Sequence, residues 1–244
     1  MPWQRAAVII GVGSVHGLGA TLANYCAQQG LHVFIAGRSA DKLRQVASVI
    51  QKHNAGVTEI VADATDANDV KRLFTAVAEQ QCQVEIAIYN VDSNRFAPFL
   101  ATELDMFTEL WRQNTLAAFI FAQAAITAML PHQQGSLFFT GATASLRAKP
   151  PFTAFASAKA GLRALAQGLA REFGPQGLHV VHVILDGVLD GDRARTQFPA
   201  FVQAKGEEGL MQLTAIAETY WAIHQQHKSA WTYELDLRPF KEPF

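Results

Sequence analysis

The sequence predicts an α/β protein with a single-domain Rossmann-type fold, a doubly wound parallel sheet in a three-layer α/β/α arrangement. Short, almost wholly apolar runs alternate with amphipathic segments along the 244 residues, and a glycine-rich turn follows the first run. Parallel strands that are covered on both faces have such continuous apolar sequences. Alternation of strands with helices builds right-handed βαβ units. Because α/β folds of this length commonly form one domain, we assign residues 1–244 to one.

The individual elements follow from the same alternation. Strands are predicted at 6–10, 33–36, 57–61, 86–89, 137–139 and 180–185, with a late edge strand at 231–237. Apolar stripes at helical spacing predict helices over 18–26, 43–50, 70–77, 104–129, 152–173 and 213–223. Asp66 is the expected N-cap of the third helix. Segment 187–210 lacks a firm periodicity, which predicts a mobile substrate loop.

Composition excludes several classes of protein. Twenty basic and twenty-one acidic residues leave a net charge of −1, without a basic run, so nucleic acid and anionic membranes are poor partners. Cys26 and Cys82 lie inside apparent helical patterns without metal-like spacing, so we expect neither a disulfide nor a metal site. No apolar stretch looks long enough to span a membrane, and Gly11 follows the first apolar run too soon for a signal peptide. We expect a cytoplasmic protein.

The glycine-rich turn is the first candidate site. Residues 11–19 read Gly-Val-Gly-Ser-Val-His-Gly-Leu-Gly between the first strand and the first helix. Glycines let the backbone turn sharply and approach a pyrophosphate, while the helix N-terminus offers N–H donors. The alternative is a turn that binds nothing. The strand–turn–helix context favours nucleotide binding.

The spacing of Gly13, Gly17 and Gly19 resembles the TGxxxGxG loop of the short-chain dehydrogenase/reductase superfamily, with Val12 in the Thr place. The resemblance extends over almost the whole chain. Tyr89-Asn90-Val91-Asp92 falls where the family has Asn-Asn-Ala-Gly, and Asp186-Gly187 replaces its Pro-Gly. The resemblance implies a nicotinamide cofactor held by Gly13, Val15, His16, Gly17, Leu18, Gly19, Arg38, Ser39, Asp63, Ala64, Asn90, Lys159, Asp186, Gly187 and Val188.

The end of the second strand bears on the choice of cofactor. A carboxylate there would accept from the ribose 2′-OH and repel a 2′-phosphate, but no acid occurs from Leu31 to Ala40. Gly37 takes the usual Asp place, and Arg38 can offer a planar fork to phosphate. His16 matches a position that is often basic in NADP-using relatives. The missing acid and the added basic residues favour NADP(H), while NAD(H) is possible. The alternative interpretation is that Arg38 merely solvates the start of a helix.

The catalytic positions depart from the family pattern. There a Tyr transfers the substrate proton, and a Lys four residues later lies on the same helical face. Lys159 and Asn114 match the family's Lys and Asn, but Phe155 stands in the Tyr place and Ala142 in the Ser place. A phenyl ring has no proton to transfer. The resemblance places the substrate beside Asn114, Lys159, Phe155, Ala142 and Thr143.

Replacement proton donors and three functions follow as hypotheses. The candidate donors are Thr140, Thr143, Ser145, Asp92 and Asp186, although such groups more often hydrogen-bond the backbone or cap turns.

The first candidate function is an NADP(H)-dependent oxidoreductase of a small carbonyl or alcohol, with the proton rerouted through water or a hydroxyl. The others are a catalytically silent NADP(H)-binding protein and a non-redox dehydratase or isomerase.

Several residues have a structural interpretation. His179 and His182 are interpreted as packing in the sixth strand, and Trp221, Trp231 and Phe240 as core or subunit contacts. The excess apolar residues of helices 104–129 and 152–173 predict a homodimer or homotetramer.

Overall fold

A seven-stranded parallel sheet forms the centre of the molecule. The computed structural model describes residues 3–242. The sheet contains β1 (Gln4–Ile10), β2 (His32–Gly37), β3 (Val57–Val61), β4 (Cys82–Tyr89), β5 (Gly135–Thr140), β6 (Leu178–Leu185) and β9 (Glu234–Leu237), in the order β3-β2-β1-β4-β5-β6-β9. The reversal of strand order between β1 and β4 makes the doubly wound Rossmann topology, as the sequence predicts.

Two layers of helices cover the sheet. The helices are α1 (Leu18–Gln28), α2 (Ala40–Gln51), α3 (Ala67–Glu79), α4 (Leu104–Trp111), α5 (Ala117–Met129), α6 (Thr153–Phe173), α7 (Asp192–Gln197), α8 (Pro199–Lys205) and α9 (Leu213–His224). One core cluster joins α1, α2 and α9 to the sheet, and a second joins α3, α5 and α6 to its other face. Burial on both faces explains the continuous apolar strands: all eight residues of β6 are buried.

Element boundaries follow local chemistry. Asp66 caps α3 by accepting a hydrogen bond from the Asn68 N–H at 2.8 Å, as predicted. Strand β4 begins at Cys82, four positions before the predicted start, so Cys82 belongs to a strand and not to a helix. The charged residue Glu85 interrupts the apolar run by which the strand is predicted. It can be buried within β4 because Arg5 and His224 pair with its carboxylate.

Segment 187–210, which is predicted to be a mobile substrate loop because it lacks a firm periodicity, contains regular secondary structure. It contains α7, α8 and the two-residue strands β7 (Val188–Leu189) and β8 (Leu210–Met211), which pair in a separate small sheet. Helices of six and seven residues complete fewer than two turns. Helices this short are not long enough to show a helical periodicity of apolar residues in the sequence.

One long apolar helix runs from Leu104 to His132, interrupted at Arg112–Leu116 by a wider π-helical turn. By length and composition alone it could cross a membrane, but the core helix of a soluble protein passes the same test. Its α5 half packs on the sheet, where Ala117 and Phe121 are fully buried. The π-helical turn positions Asn114, and such turns often occur at functional sites.

Candidate nucleotide-binding and active site

A cleft of about 380 Å³ lies at the carboxyl ends of β1 to β4, the usual position for ligands in open α/β sheets. We call it the edge cleft. Its lining residues are Ile10, Gly11, Val12, Gly13, Gly37, Arg38, Ser39, Lys42, Ala62, Asp63, Ala64, Thr65, Asn90, Val91, Asp92, Gln113 and Arg193.

The glycine-rich loop leaves room for a phosphate-bearing cofactor. A Cβ on Gly13 would have no described atom within 4 Å, so the backbone there faces open space in the edge cleft. Gly11 and Gly19 serve packing instead. Gly11 has a φ of +92° and approaches Asn90, while a Cβ on Gly19 would lie 2.8 Å from the Gly11 carbonyl oxygen. This cradle and the N-terminus of α1 fit a dinucleotide diphosphate.

The end of the edge cleft beside Gly37 is basic, and we call it the nucleotide end. A Cβ at Gly37 would lie 2.2 Å from the Val12 carbonyl oxygen, so an acid in this place would displace the glycine-rich loop. Arg38, Ser39 and Lys42 line the cleft beside it. Lys42 is absent from the cofactor contacts predicted from the sequence. Its position four residues after Arg38, one turn along a helix, could have indicated that it lies beside Arg38. Asp63, also in the lining, accepts hydrogen bonds from the backbone and hydroxyl of Thr65, both at 2.8 Å.

Other predicted cofactor contacts lie outside this lining. Val15, Gly17, Leu18 and Gly19 belong to the loop and the start of α1, and the His16 side chain is exposed. The His16 carbonyl accepts a hydrogen bond from the Asp192 N–H at 3.0 Å. Asp186, Gly187 and Val188 follow β6, and Asp186 is buried between Arg147 and Arg238.

Lys159 is buried on α6, with 1% of its side chain exposed. Its ammonium donates to the Thr140 carbonyl oxygen at 3.2 Å and pairs with Asp92 Oδ1 at 3.2 Å. Its Nζ lies 5.7 Å from the centroid of the Phe155 ring. Asp92 stands where the resemblance expects a glycine, and it also lines the edge cleft. A carboxylate therefore joins the buried ammonium to the cleft.

Asn114 lies in the π-helical turn and is fully buried. Its amide donates to the Leu110 and Ser93 carbonyl oxygens at 2.9 and 3.3 Å. Its Oδ1 has no hydrogen-bond partner among residues 3–242. A buried acceptor of this kind fits an ordered water.

Phe155 and Ala142, which the resemblance aligns with the family's Tyr and Ser, both present apolar surface. Phe155 is 6% exposed and packs with Leu110, Ala144 and Ala154, and Ala142 packs against the same cluster. The two changes are mutually consistent because both side chains belong to one apolar contact set. Neither side chain can transfer a proton.

The candidate hydroxyl donors are engaged inside the protein. Thr143 donates to Asp186 Oδ1 at 2.6 Å, and Thr140 Oγ1 lies 3.0 Å from the Tyr220 hydroxyl. Ser145 Oγ lies 3.4 Å from His182 Nε2. Asp186 is itself compensated by Arg147 and Arg238. A hydroxyl that is already hydrogen-bonded to another protein group is poorly placed to give its proton to a substrate oxygen.

Ser145, His182 and Glu234 have the order of a hydrolytic triad, with His182 Nδ1 2.9 Å from Glu234 Oε2. Burial lowers the pKa of His182, and its bond to Glu234 opposes this shift. Arg163 lowers the pKa of Glu234 by donating two hydrogen bonds of 2.7 Å. Ser145 is almost wholly buried, so the group is a satisfied structural network. His182 thus packs within β6, in accord with its structural interpretation.

The same residue types recur at the opposite, amino half of the sheet. His224 Nδ1 lies 2.8 Å from Ser136 Oγ, and its Nε2 lies 2.9 Å from Glu85 Oε1, while Arg5 takes the place of Arg163. This network lies toward the amino ends of the strands, whereas the edge cleft lies at their carboxyl ends. Its recurrence supports a structural role for both.

A profile of the short chain dehydrogenase family matches residues 6–199. The chain belongs to this family. The resemblance drawn from the glycine loop and Lys159 is thereby confirmed. A short-chain dehydrogenase structure from Rhodopseudomonas palustris is 35% identical and covers 97% of this chain and 99% of its own, with a TM-score of 0.83.

One further solved structure shares the fold of this chain, and curated proteins of lower identity resemble its sequence. The actinorhodin polyketide ketoreductase with NADPH shares its fold, with a TM-score of 0.88 at 15% identity, and covers 99% of this chain and 98% of its own. Gluconate 5-dehydrogenase of Gluconobacter oxydans is 27% identical over 168 residues, which are 69% of this chain and 66% of that protein. The 3-ketodihydrosphingosine reductase of Mus musculus is 27% identical over 177 residues, 70% of this chain and 53% of the reductase. This chain thus spans between half and two thirds of the length of these curated relatives.

Proposed function

We propose that this short-chain dehydrogenase is an NADP(H)-dependent oxidoreductase of a small carbonyl or alcohol that moves its proton without a tyrosine. The basic nucleotide end of the edge cleft carries the proposal. Arg38 and Lys42 offer two cations to a 2′-phosphate, and a guanidinium can bind it with two hydrogen bonds. The place of the acid that selects NAD(H) is closed to any side chain by the Val12 carbonyl.

The NADPH named for the polyketide ketoreductase agrees with this choice. When bound, the cofactor supplies or accepts the hydride. Lys159 is the residue expected to hold ribose hydroxyls, because its ammonium lies beside the edge cleft. Asp92 keeps that ammonium in place and links it to solvent.

The proton in this proposal reaches the substrate oxygen through water. Asp92 and Lys159 would hydrogen-bond that water, and Asn114 Oδ1 would accept from a second one. The candidate hydroxyls are committed to protein partners, which favours water over them. Lacking a positioned acid, the native protein should reduce simple ketones slowly, since general acid catalysis contributes about 10²–10⁴-fold.

A second candidate is an NADP(H)-binding protein without turnover. Its specific support is the apolar cluster around Phe155 and Ala142, which replaces the family's proton donor and its helper. Both candidates share the same cofactor site. They differ only in whether the residues around Lys159 and Phe155, which we call the catalytic end, support turnover.

Two measurements separate these candidates. Fluorescence titration should show NADPH binding at least about tenfold more tightly than NADH, a difference of ~1.4 kcal/mol. NADPH oxidation is then followed against aldehydes, ketones, quinones and imines. Turnover on one class supports the oxidoreductase, whereas tight binding without turnover supports the silent protein. Equal affinities for the two cofactors would refute the NADP(H) assignment.

A further inference from the structure

The start of α7 crosses the edge cleft. On one side it contacts the glycine-rich loop, where Asp192 Oδ2 accepts a hydrogen bond from the Ser14 hydroxyl. The Asp192 N–H also donates to the His16 carbonyl oxygen at 3.0 Å. Gly191 fits closely here, since a Cβ on it would lie 2.9 Å from the same oxygen. A carboxylate therefore occupies the loop that is shaped for phosphate.

On the other side, α7 reaches the loop that follows β4. Arg193 Nη1 lies 3.4 Å from Asp92 Oδ2, and Arg193 Nη2 donates to Asn94 Oδ1. Arg193 and Asp92 both line the edge cleft. Their side chains are 51% and 38% exposed, so the pair is open to water and to exchange of partners. Adjacent residues of α7 thus carry opposite charges to the two walls of the cleft.

We propose that Asp192 is an internal stand-in for the cofactor diphosphate and that Arg193 is a ligand for it. On binding, the diphosphate displaces the Asp192 carboxylate from Ser14, and Arg193 leaves Asp92 for a diphosphate oxygen. The proposal rests on the proposed function only in that a dinucleotide occupies the edge cleft. It holds equally for NADPH and NADH.

The energetics favour this exchange. Both partners of the Arg193–Asp92 ion pair are exposed to solvent, so breaking the pair costs little free energy. A diphosphate offers Arg193 stronger, charge-assisted hydrogen bonds. The Asp192 carboxylate near that anion is repelled. Neighbouring residues should therefore change cofactor affinity in opposite directions.

The test compares Asp192→Asn and Arg193→Ala with a matched control, Arg195→Ala. Arg195 lies on the same helix but pairs with Asp190 and is not among the residues that line the edge cleft. Dissociation constants are measured by calorimetry for NADPH, NADH and 2′-AMP, which lacks a diphosphate. We expect Asp192→Asn to tighten both dinucleotides about threefold or more and Arg193→Ala to weaken both about tenfold. The 2′-AMP constants and the Arg195→Ala variant should stay unchanged.

Thermal unfolding checks that each variant is folded, and Asp192→Ala replaces the Asn variant if that one is not. Shifts of the same sign for Asp192→Asn and Arg193→Ala would overturn the proposal, as would equal effects on 2′-AMP. Equal wild-type affinities for NADPH and NADH with opposite shifts in the variants would refute the cofactor preference and support this inference. Failure of both dinucleotides to bind the wild type would refute both.

Discussion

The two ends of the sheet's carboxyl edge treat their polar groups differently. At the nucleotide end, Gly13, Arg38, Ser39 and Lys42 face the edge cleft, where a ligand can meet them. At the catalytic end, around Lys159 and Phe155, the charged groups are paired within the protein: Lys159 with Asp92, and Arg147 with Asp186, which also accepts from Thr143. The first end is arranged to bind. The second end has satisfied its charges internally, around an apolar cluster.

Under the proposed function, this difference means that cofactor binding and proton transfer depend on different parts of the site. Binding depends on backbone shape and on side chains that keep free donors toward solvent. Proton transfer depends on a donor whose proton is not already committed. A variant that restores a free donor at the catalytic end, or removes a cation at the nucleotide end, therefore tests each half separately.

The largest expected effect comes from restoring the proton donor. Phe155→Tyr with Ala142→Ser adds a phenol one helical turn from Lys159 and an oxygen in the place of the family's Ser. We expect NADPH-dependent reduction of an activated ketone or dione to rise about 10²-fold, as restored general acid catalysis would provide. Steady-state NADPH oxidation measures the gain, and Phe155→Leu is the control without a hydroxyl.

An opposite outcome would remove the basis of the comparison. If the native protein turns over a substrate quickly and the double substitution abolishes that turnover, Phe155 has a working role in another mechanism. The catalytic end would then be active as it stands.

The next effect concerns an internally paired charge away from the cleft. Burial works to raise the pKa of Glu85, but hydrogen bonds from Arg5 and His224 lower it to about 2. Because the folded pKa lies below the ordinary value of 4.5, the stabilisation is present above about pH 4.5 and is lost as the pH falls toward 2. Since one unit of pKa corresponds to about 1.4 kcal/mol, a fall from 4.5 to about 2 amounts to about 3 kcal/mol.

Urea unfolding of the wild type and Glu85→Gln measures this contribution. The gap in unfolding free energy should be widest at neutral pH and should close in acid. Glu79→Gln, at an exposed site on α3, is the control. A gap of equal size at pH 7 and pH 3 would show that the pairing of Glu85 contributes no pH-dependent stability.

The nucleotide end is tested by Arg38→Asp. Replacing a cation that lines the cleft by an acid should weaken NADPH about tenfold or more and leave NADH binding equal or tighter, since an acid accepts from the 2′-OH. Lys42→Ala should weaken NADPH less, because Arg38 remains. Fluorescence titration of both cofactors provides the measurement. An unchanged NADPH affinity in Arg38→Asp would argue against a 2′-phosphate contact at this end.

The smallest expected effect concerns assembly. The chain leaves apolar residues exposed around α4 and α5: Leu104 is 77% exposed and Leu100 98%, with Trp111 and Phe119 nearby. Large exposed apolar patches mark association surfaces. We expect light scattering to give two or four times 26.6 kDa. Leu104→Glu should lower the mass, whereas Phe201→Glu on α8 should not. A monomer at micromolar concentration would contradict the expectation.

The sequence by itself determined the fold class, the central strands and the glycine-rich loop. These features are local: apolar runs and periods follow from the faces that each element buries, and glycines mark turns within a few residues. Through the resemblance it also predicts that Phe155 and Ala142 stand in the places of the family's Tyr and Ser, since those places depend only on spacing from Lys159. It missed the true start of β4, because Arg5 and His224, whose side chains pair with the Glu85 carboxylate, are distant in the chain.

Tertiary structure alone decided which polar groups are free. The Ser14–Asp192 and Asp92–Arg193 contacts join residues 178 and 101 positions apart. The Lys159–Asp92 pair joins α6 to the loop after β4. Such pairings depend on strand order and on where α7 crosses the sheet edge, which no local period encodes. The residue type does not show whether a side-chain donor is already hydrogen-bonded within the protein. Only the tertiary structure distinguishes a donor that can bind a ligand from one that is paired internally.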